Sequence, residues 1–181
     1  MSDKPFDLEA EVRDLAARRD IYNVACVYMR GQDRLLPELH RSAFHDDAYV
    51  DCGLYAGSAD GFVEFAQGFL GELKSSHHLI GQVHIDVQGD VADGEVYFIA
   101  YHRIVENGED KDLIVAGRYV DRYEKRDGVW KIARRREIVD WARTDPASDS
   151  FLREQTALHL GGRRNEDFSV TRNWPPEAGQ R

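Results

Sequence analysis

Residues 83–141 read VHIDVQGDVADGEVYFIAYHRIVENGEDKDLIVAGRYVDRYEKRDGVWKIARRREIVDW, and this stretch decides the fold. Val83, Ile85 and Val87 alternate with His84, Asp86 and Gln88, the period of two expected of a strand with one buried face. Gly89-Asp90 is the first turn signal, and Asn107-Gly108 and Asp127-Gly128 are the next. Between these turns the pattern predicts strands over 91–105, 113–124 and 129–141, a meander of long antiparallel neighbours.

Upstream the period changes to that of a helix. Leu8, Val12, Leu15, Ala16, Ile21, Val24, Ala25 and Tyr28 recur at threes and fours, predicting an amphipathic helix over 8–30, capped by Asp7 and stopped at Gly31. A second helix is expected over 35–44, with Leu35, Leu36, Leu39 and Ala43 inward, then a short strand near Tyr49-Val50. A third helix over 60–74 would bury Phe62, Val63, Phe65, Ala66, Phe69, Leu70 and Leu73. Three helices before a meander make an α+β protein: a cone-shaped α+β barrel over residues 1–141, its three N-terminal helices packed on a strongly curved, mostly antiparallel sheet. Residues 142–181 hold Gly161-Gly162, Pro175-Pro176 and few periodic apolar positions. They read as a C-terminal extension that is solvated, crosses a neighbouring subunit or closes over a pocket.

The length of 181 residues fits one domain, with 42% hydrophobic residues and enough chain to bury roughly 70% of its unfolded surface. No apolar run approaches the ~20 residues of a membrane span, so no membrane partner is expected. Residues 1–6 lack the apolar segment of a secretory leader, and Cys26 and Cys52 fit free thiols in a reducing cytoplasm. Lys and Arg number 24 against 33 Asp and Glu, a net charge of −9 that argues against binding nucleic acid. The run Arg134-Arg135-Arg136 alternates across a strand and does not form one patch. There is no CxxC, HExxH, GxGxxG or phosphate-binding loop, so neither metal nor cofactor is expected.

A bent sheet under helices encloses a hollow lined by alternate strand residues, and polar groups facing that hollow are informative. Asp33 follows the first helix, His77 and His78 stand where the third helix gives way to a strand, and Arg135 lies in the last strand. Read as residues alone, Asp33 suits a helix-end cap, Arg135 an ion pair with Glu137 on the same face, and Tyr28 and His102 packing positions.

Tyr28 with Gly31-Gln32-Asp33-Arg34, the run His78-Leu79-Ile80-Gly81-Gln82, and the run from Tyr123 through Trp130-Lys131 resemble the SnoaL-like branch of the nuclear-transport-factor-2-like fold. The pattern is similar to that of scytalone dehydratase, hexachlorocyclohexane dehydrochlorinase and bile-acid 7α-dehydratase, over residues 15–141 and not the tail. The resemblance implies a cofactor-independent lyase acting on a small hydrophobic cyclic or aromatic substrate. His78 would be the general base, and Asp33 would hold its ring in one tautomer. Arg135 would stabilise charge on a departing chloride or hydroxyl, or anchor an acidic group. Tyr28 would polarise a carbonyl, and His102 would protonate a leaving hydroxyl. Cys52 stands where scytalone dehydratase has a catalytic tyrosine, and Gln32 where it has another; Cys52 and Trp141 would line the substrate pocket. His77 is the rival base, but the residues that follow select His78 and turn His77 to the opposite side of the strand. Two other readings share the fold. One is a ketosteroid-isomerase-like isomerase or polyketide cyclase. The other is a non-catalytic ligand-binding or assembly protein, such as a ring-hydroxylating dioxygenase small subunit. A homotrimer or homodimer that covers the exposed sheet face is expected.

Overall fold

The N-terminal helix starts where the sequence puts it and ends later. In a computed structural model that describes residues 6–155 and 157–175, the Asp7 carboxylate accepts from the backbone N–H groups of Glu9 and Ala10 at 3.0 and 3.1 Å. The expectations for residues 1–5 and for Pro176 lie outside the described residues. Helix α1 spans Leu8–Asp33 and runs straight through Gly31. That glycine serves a crossing: a Cβ there would lie 2.5 Å from the His40 backbone, so α2 (Pro37–Ser42) can approach α1 only over a residue without a side chain. The break falls instead at Leu35, whose φ of 51° leaves the helical region. Pro37 then opens α2, which is shorter than expected because Phe44 already belongs to a strand.

Strand β1 (Phe44–Asp51) pairs with a three-residue β2 (Ala56–Ser58) that the sequence did not signal, and Ser58 caps α3 (Ala59–Gly71). The meander follows as β3 (Ser75–Gln88), β4 (Val91–Glu106), β5 (Glu109–Arg126) and β6 (Val129–Pro146). One sheet results, in the order β2-β1-β6-β5-β4-β3. Its pairings are antiparallel except β1 with β6, which run parallel, so the sheet is mixed. It stays open, with β2 and β3 as its edges; the expected barrel is a cone left unclosed. The core fills the space between its concave face and the helices, where Ile21, Tyr28, Phe44, Phe62, Val96, Tyr123 and Ile132 are buried. Each such large apolar side chain contributes about 1.5–3 kcal/mol on burial.

The last strand passes the expected end at residue 141 and continues to Pro146, so the boundary drawn there falls inside a strand. It also slips. Ala116 pairs with Trp141 while Gly117 pairs with Val139, which leaves Asp140 as an extra residue. A bulge of this kind reverses which residues face inward beyond it. Gly117 sits opposite the bulge because a Cβ there would meet the Ile138 carbonyl oxygen at 2.2 Å.

Part of the tail docks on its own chain. The Arg34 guanidinium donates to the Gly162 carbonyl at 2.9 Å and pairs with Asp167 at 3.1 Å, and Arg163 donates to the Leu73 carbonyl. Asp167 also accepts from the N–H groups of Gly162 and Ser169, both at 2.9 Å. The Ser169 hydroxyl first, then these amides and Arg34, outweigh burial and bring the Asp167 carboxyl down to about 2. A group whose value falls on docking favours the docked state above its free value of 3.8, and that favour is lost as pH falls towards 2. Asp167→Asn is therefore expected to loosen the tail by about 1–2 kcal/mol. Trypsin should then cut after Arg163 and Arg164 roughly 5–30-fold faster at neutral pH, which timed digests read directly. Among the described residues no helix is long and apolar enough to cross a membrane.

Candidate active site

Asp33 is the last residue of α1, and His78 lies near the start of β3, 45 positions on. The Asp33 carboxylate accepts from the His78 backbone N–H at 2.8 Å through Oδ2, and meets His78 Nδ1 at 2.6 Å through Oδ1. A carboxylate beside Nδ1 makes that nitrogen the N–H donor, leaving the lone pair on Nε2. Both side chains are buried, at 7% exposure for His78 and 9% for Asp33. Burial alone would push the Asp33 carboxyl up. The hydrogen bonds and charge of His78, together with the Arg34 guanidinium, outweigh it and hold Asp33 below the ordinary carboxylate value. His77 is exposed on the other side of the strand.

The His78 ring borders a cavity of about 310 Å³, the size range of small-ligand pockets. Its walls are apolar: Phe62, Phe65, Phe69 and Leu70 from α3, Phe98 from β4, Leu113 and Val115 from β5, and Val139 from β6. The polar positions are Gln32, Cys52, His78, His102, Tyr119 and Glu137. His102 packs edge-on to His78 with ring centres 5.3 Å apart, and its Nδ1 is buried without a hydrogen bond. Burial first, and the His78 charge second, lower His102 to about 4, so its imidazole is neutral near pH 7. Among the described residues no group of three His, Cys, Asp or Glu side chains converges as a metal site.

His78, His102 and Cys52 thus line one cavity and Asp33 reaches it through His78, but three other expected site residues do not. Tyr28 is buried in the core against His40, Phe44 and Tyr119. Because α1 continues to Asp33, the five helical steps from one to the other turn Tyr28 about 140° away from Asp33 around the helix. Arg135 points inward but lies behind the cavity wall. Its register partner on β5 is Asp121, and it engages that residue, not the expected Glu137, at 2.7 and 2.6 Å. Trp141 stands on the outer face, because the bulge at Asp140 brings Ala142 to the cavity in its place. Tyr119 and Glu137 went unnoticed as site residues. The available signal was parity: Glu137 is two residues from inward-facing Arg135, and Tyr119 two from Asp121.

Residues 13–136 match the model of the SnoaL-like domain family. Solved structures with the same fold include a candidate scytalone dehydratase from Novosphingobium aromaticivorans, 23% identical, with a TM-score of 0.65 over 75% of this chain and 91% of that one. A type 2 hexachlorocyclohexane dehydrochlorinase is 22% identical, with a TM-score of 0.68 over 77% of this chain and 94% of that one. The type 3 enzyme of Novosphingobium barchaimii is 19% identical, with a TM-score of 0.68 over 83% and 97%. No curated protein matches the chain in sequence. At these identities the likeness establishes the fold, and the chemistry has to be argued from the cavity.

Proposed function

This chain belongs to the SnoaL-like domain family, and from that premise we propose that it is a lyase, eliminating water or halide from a small hydrophobic cyclic substrate without a cofactor. The observation that carries the reading is the doubly hydrogen-bonded Asp33–His78 pair against an apolar cavity. Asp33 fixes the ring so that Nε2 keeps its lone pair, and it stabilises the imidazolium that forms when Nε2 takes a proton from carbon. The C–H electron pair becomes the double bond, and the leaving group departs from the neighbouring carbon. Apolar walls exclude water, which strengthens the carboxylate's hold on the charged ring. Of the similar structures above, one is named as a dehydrochlorinase and another as a candidate dehydratase, and both names describe eliminations, which supports the reaction class. The test is alkene formation from a panel of β-hydroxy ketones, β-acyloxy ketones and chlorinated cyclohexanes, with wild type active on at least one member and His78→Ala inactive on it. Equal activity of the two proteins would leave only a binding scaffold.

Two side readings travel with this one. Leu79, Ile99 and Trp141 are about half exposed together on the outer sheet face, and a second copy of the chain is the proposed cover. Sedimentation should then give more than the monomer mass, and Trp141→Glu should shift the distribution towards the monomer; a wild-type monomer would refute it. The free Cys52 thiol on the cavity wall suits a reducing compartment such as the cytoplasm.

A further inference from the structure

We propose that Glu137 is the acid of this site, protonating a leaving hydroxyl on an uncharged substrate, so that the lyase is a dehydratase and not a dehydrohalogenase. The proposal rests on the elimination reading above.

Placement comes first. Glu137 on β6 pairs in register with Tyr119 on β5, and both line the cavity. His78 reaches the same cavity from β3, across the intervening β4 and β5. A base from the first strand of the meander and a carboxyl from its last therefore share one cavity of about 310 Å³.

The second observation is that this carboxyl has no hydrogen-bond partner from the protein. Among the described residues no group hydrogen-bonds to Glu137, although it is half-buried. Arg135, its neighbour on the same face, is already held by Asp121 through two hydrogen bonds. Its oxygens are not sealed in the protein but open on the cavity, where a bound ligand can meet them. The groups that feel its charge are Tyr28 from α1, Cys52 after β1, Tyr119 from β5, Arg135 on its own strand and His78 from β3. Burial pushes the Glu137 carboxyl up, against the opposing charges of Arg135 and His78. That direction favours the proton-bearing form, which is the form an acid catalyst uses.

The third observation concerns charge. No lysine or arginine lines the cavity, so nothing on its walls would pair with an anionic substrate. A halide leaves as a stable anion and gains nothing from a proton donor, whereas hydroxide is a poor leaving group that needs one. His102 was the expected donor, but it is neutral near pH 7 with a value of about 4, and so holds no readily given proton.

The step balances within these residues. His78 Nε2 takes the proton from carbon, and the C–H pair forms the C=C bond. The C–O bond breaks with its electrons on oxygen, which takes the Glu137 proton and leaves as water. Glu137 is then a carboxylate and His78 an imidazolium, and proton exchange through solvent restores both.

The test is a leaving-group comparison on one ring, using 3-hydroxycyclohexanone and 3-acetoxycyclohexanone, which both yield the same enone. Acetate departs without a proton. In Glu137→Gln, kcat/KM for the hydroxy ketone is expected to fall at least about 100-fold, and for the acetoxy ketone less than about threefold. A thermal melt checks that the isosteric variant stays folded, and Glu137→Ala should repeat the split. Equal losses on both ketones, or no loss on either, would overturn the role of Glu137 and leave the elimination reading standing. So would a wild-type protein that acts on chlorinated cyclohexanes and on no hydroxy ketone. Failure of the wild type to eliminate from any member of the wider panel would overturn the elimination reading and this proposal with it.

Discussion

Replacing His78 with alanine is expected to lower kcat for elimination by about 10²–10⁴-fold, the usual worth of a positioned general base. Stability should fall by only about 1–3 kcal/mol, since one charge-assisted hydrogen bond to Asp33 is lost. Asp33→Asn is the sharper variant. The His78 backbone N–H, 2.8 Å from Oδ2, needs an acceptor, so the new side chain will turn its carbonyl there. Its NH₂ group then faces Nδ1, which must accept instead of donate. The ring proton moves to Nε2, where the base was, and kcat should drop by a similar order in a protein that still folds. The pH dependence separates this from simple damage. Asp33 sits below its ordinary value of 3.8 in the fold, so its stabilisation is complete above 3.8 and lost as pH falls through the lower folded value. The gap in unfolding free energy between wild type and Asp33→Asn should therefore shrink in acid. Kinetics on the substrate panel and urea titrations at several pH values measure both effects. Unchanged turnover in both variants would exclude the pair from the chemistry.

What the sequence disclosed, and what it hid, follows a physical line. Alternation and turn signals place β3 to β6 because each records local chemistry. Asp33 and His78 were legible through the residues around them. Hidden features were those set by another part of the chain. Gly31 looks like a helix stop until α2 is seen to cross it. Asp140 carries no mark of the bulge that sends Trp141 outward, because its cause lies on β5 at Gly117. The partner of Arg135 depends on register across two strands, which parity along β6 alone does not reveal. Glu137 was passed over for the same reason: it had been assigned to Arg135, and only the Asp121 pairing sets it free.

Arg135 gives the second large prediction, and it concerns stability. Its side chain is 1% exposed and that of Asp121 0%, and the guanidinium lies 4.0 and 4.1 Å from the ring centres of Tyr28 and Tyr119. The Tyr123 hydroxyl donates to Asp121 Oδ2 at 2.7 Å, closing the cluster under the cavity floor. Two buried charges cost several kcal/mol each to desolvate, and mutual pairing roughly offsets that cost. Removing one partner leaves the other exposed to the whole penalty. Arg135→Met and Asp121→Asn should each lose about 3–5 kcal/mol in urea unfolding, whereas Arg135→Met with Asp121→Leu should recover most of it. A leaving-group arginine would behave in the opposite way, with kcat collapsing while unfolding stays near wild type. Since the guanidinium does not line the cavity, the double variant should keep kcat within about tenfold of wild type once folded. Arg135 and Glu137 therefore divide the last strand between them: one residue secures the floor through Asp121, and its neighbour on the same face is left free to meet the substrate.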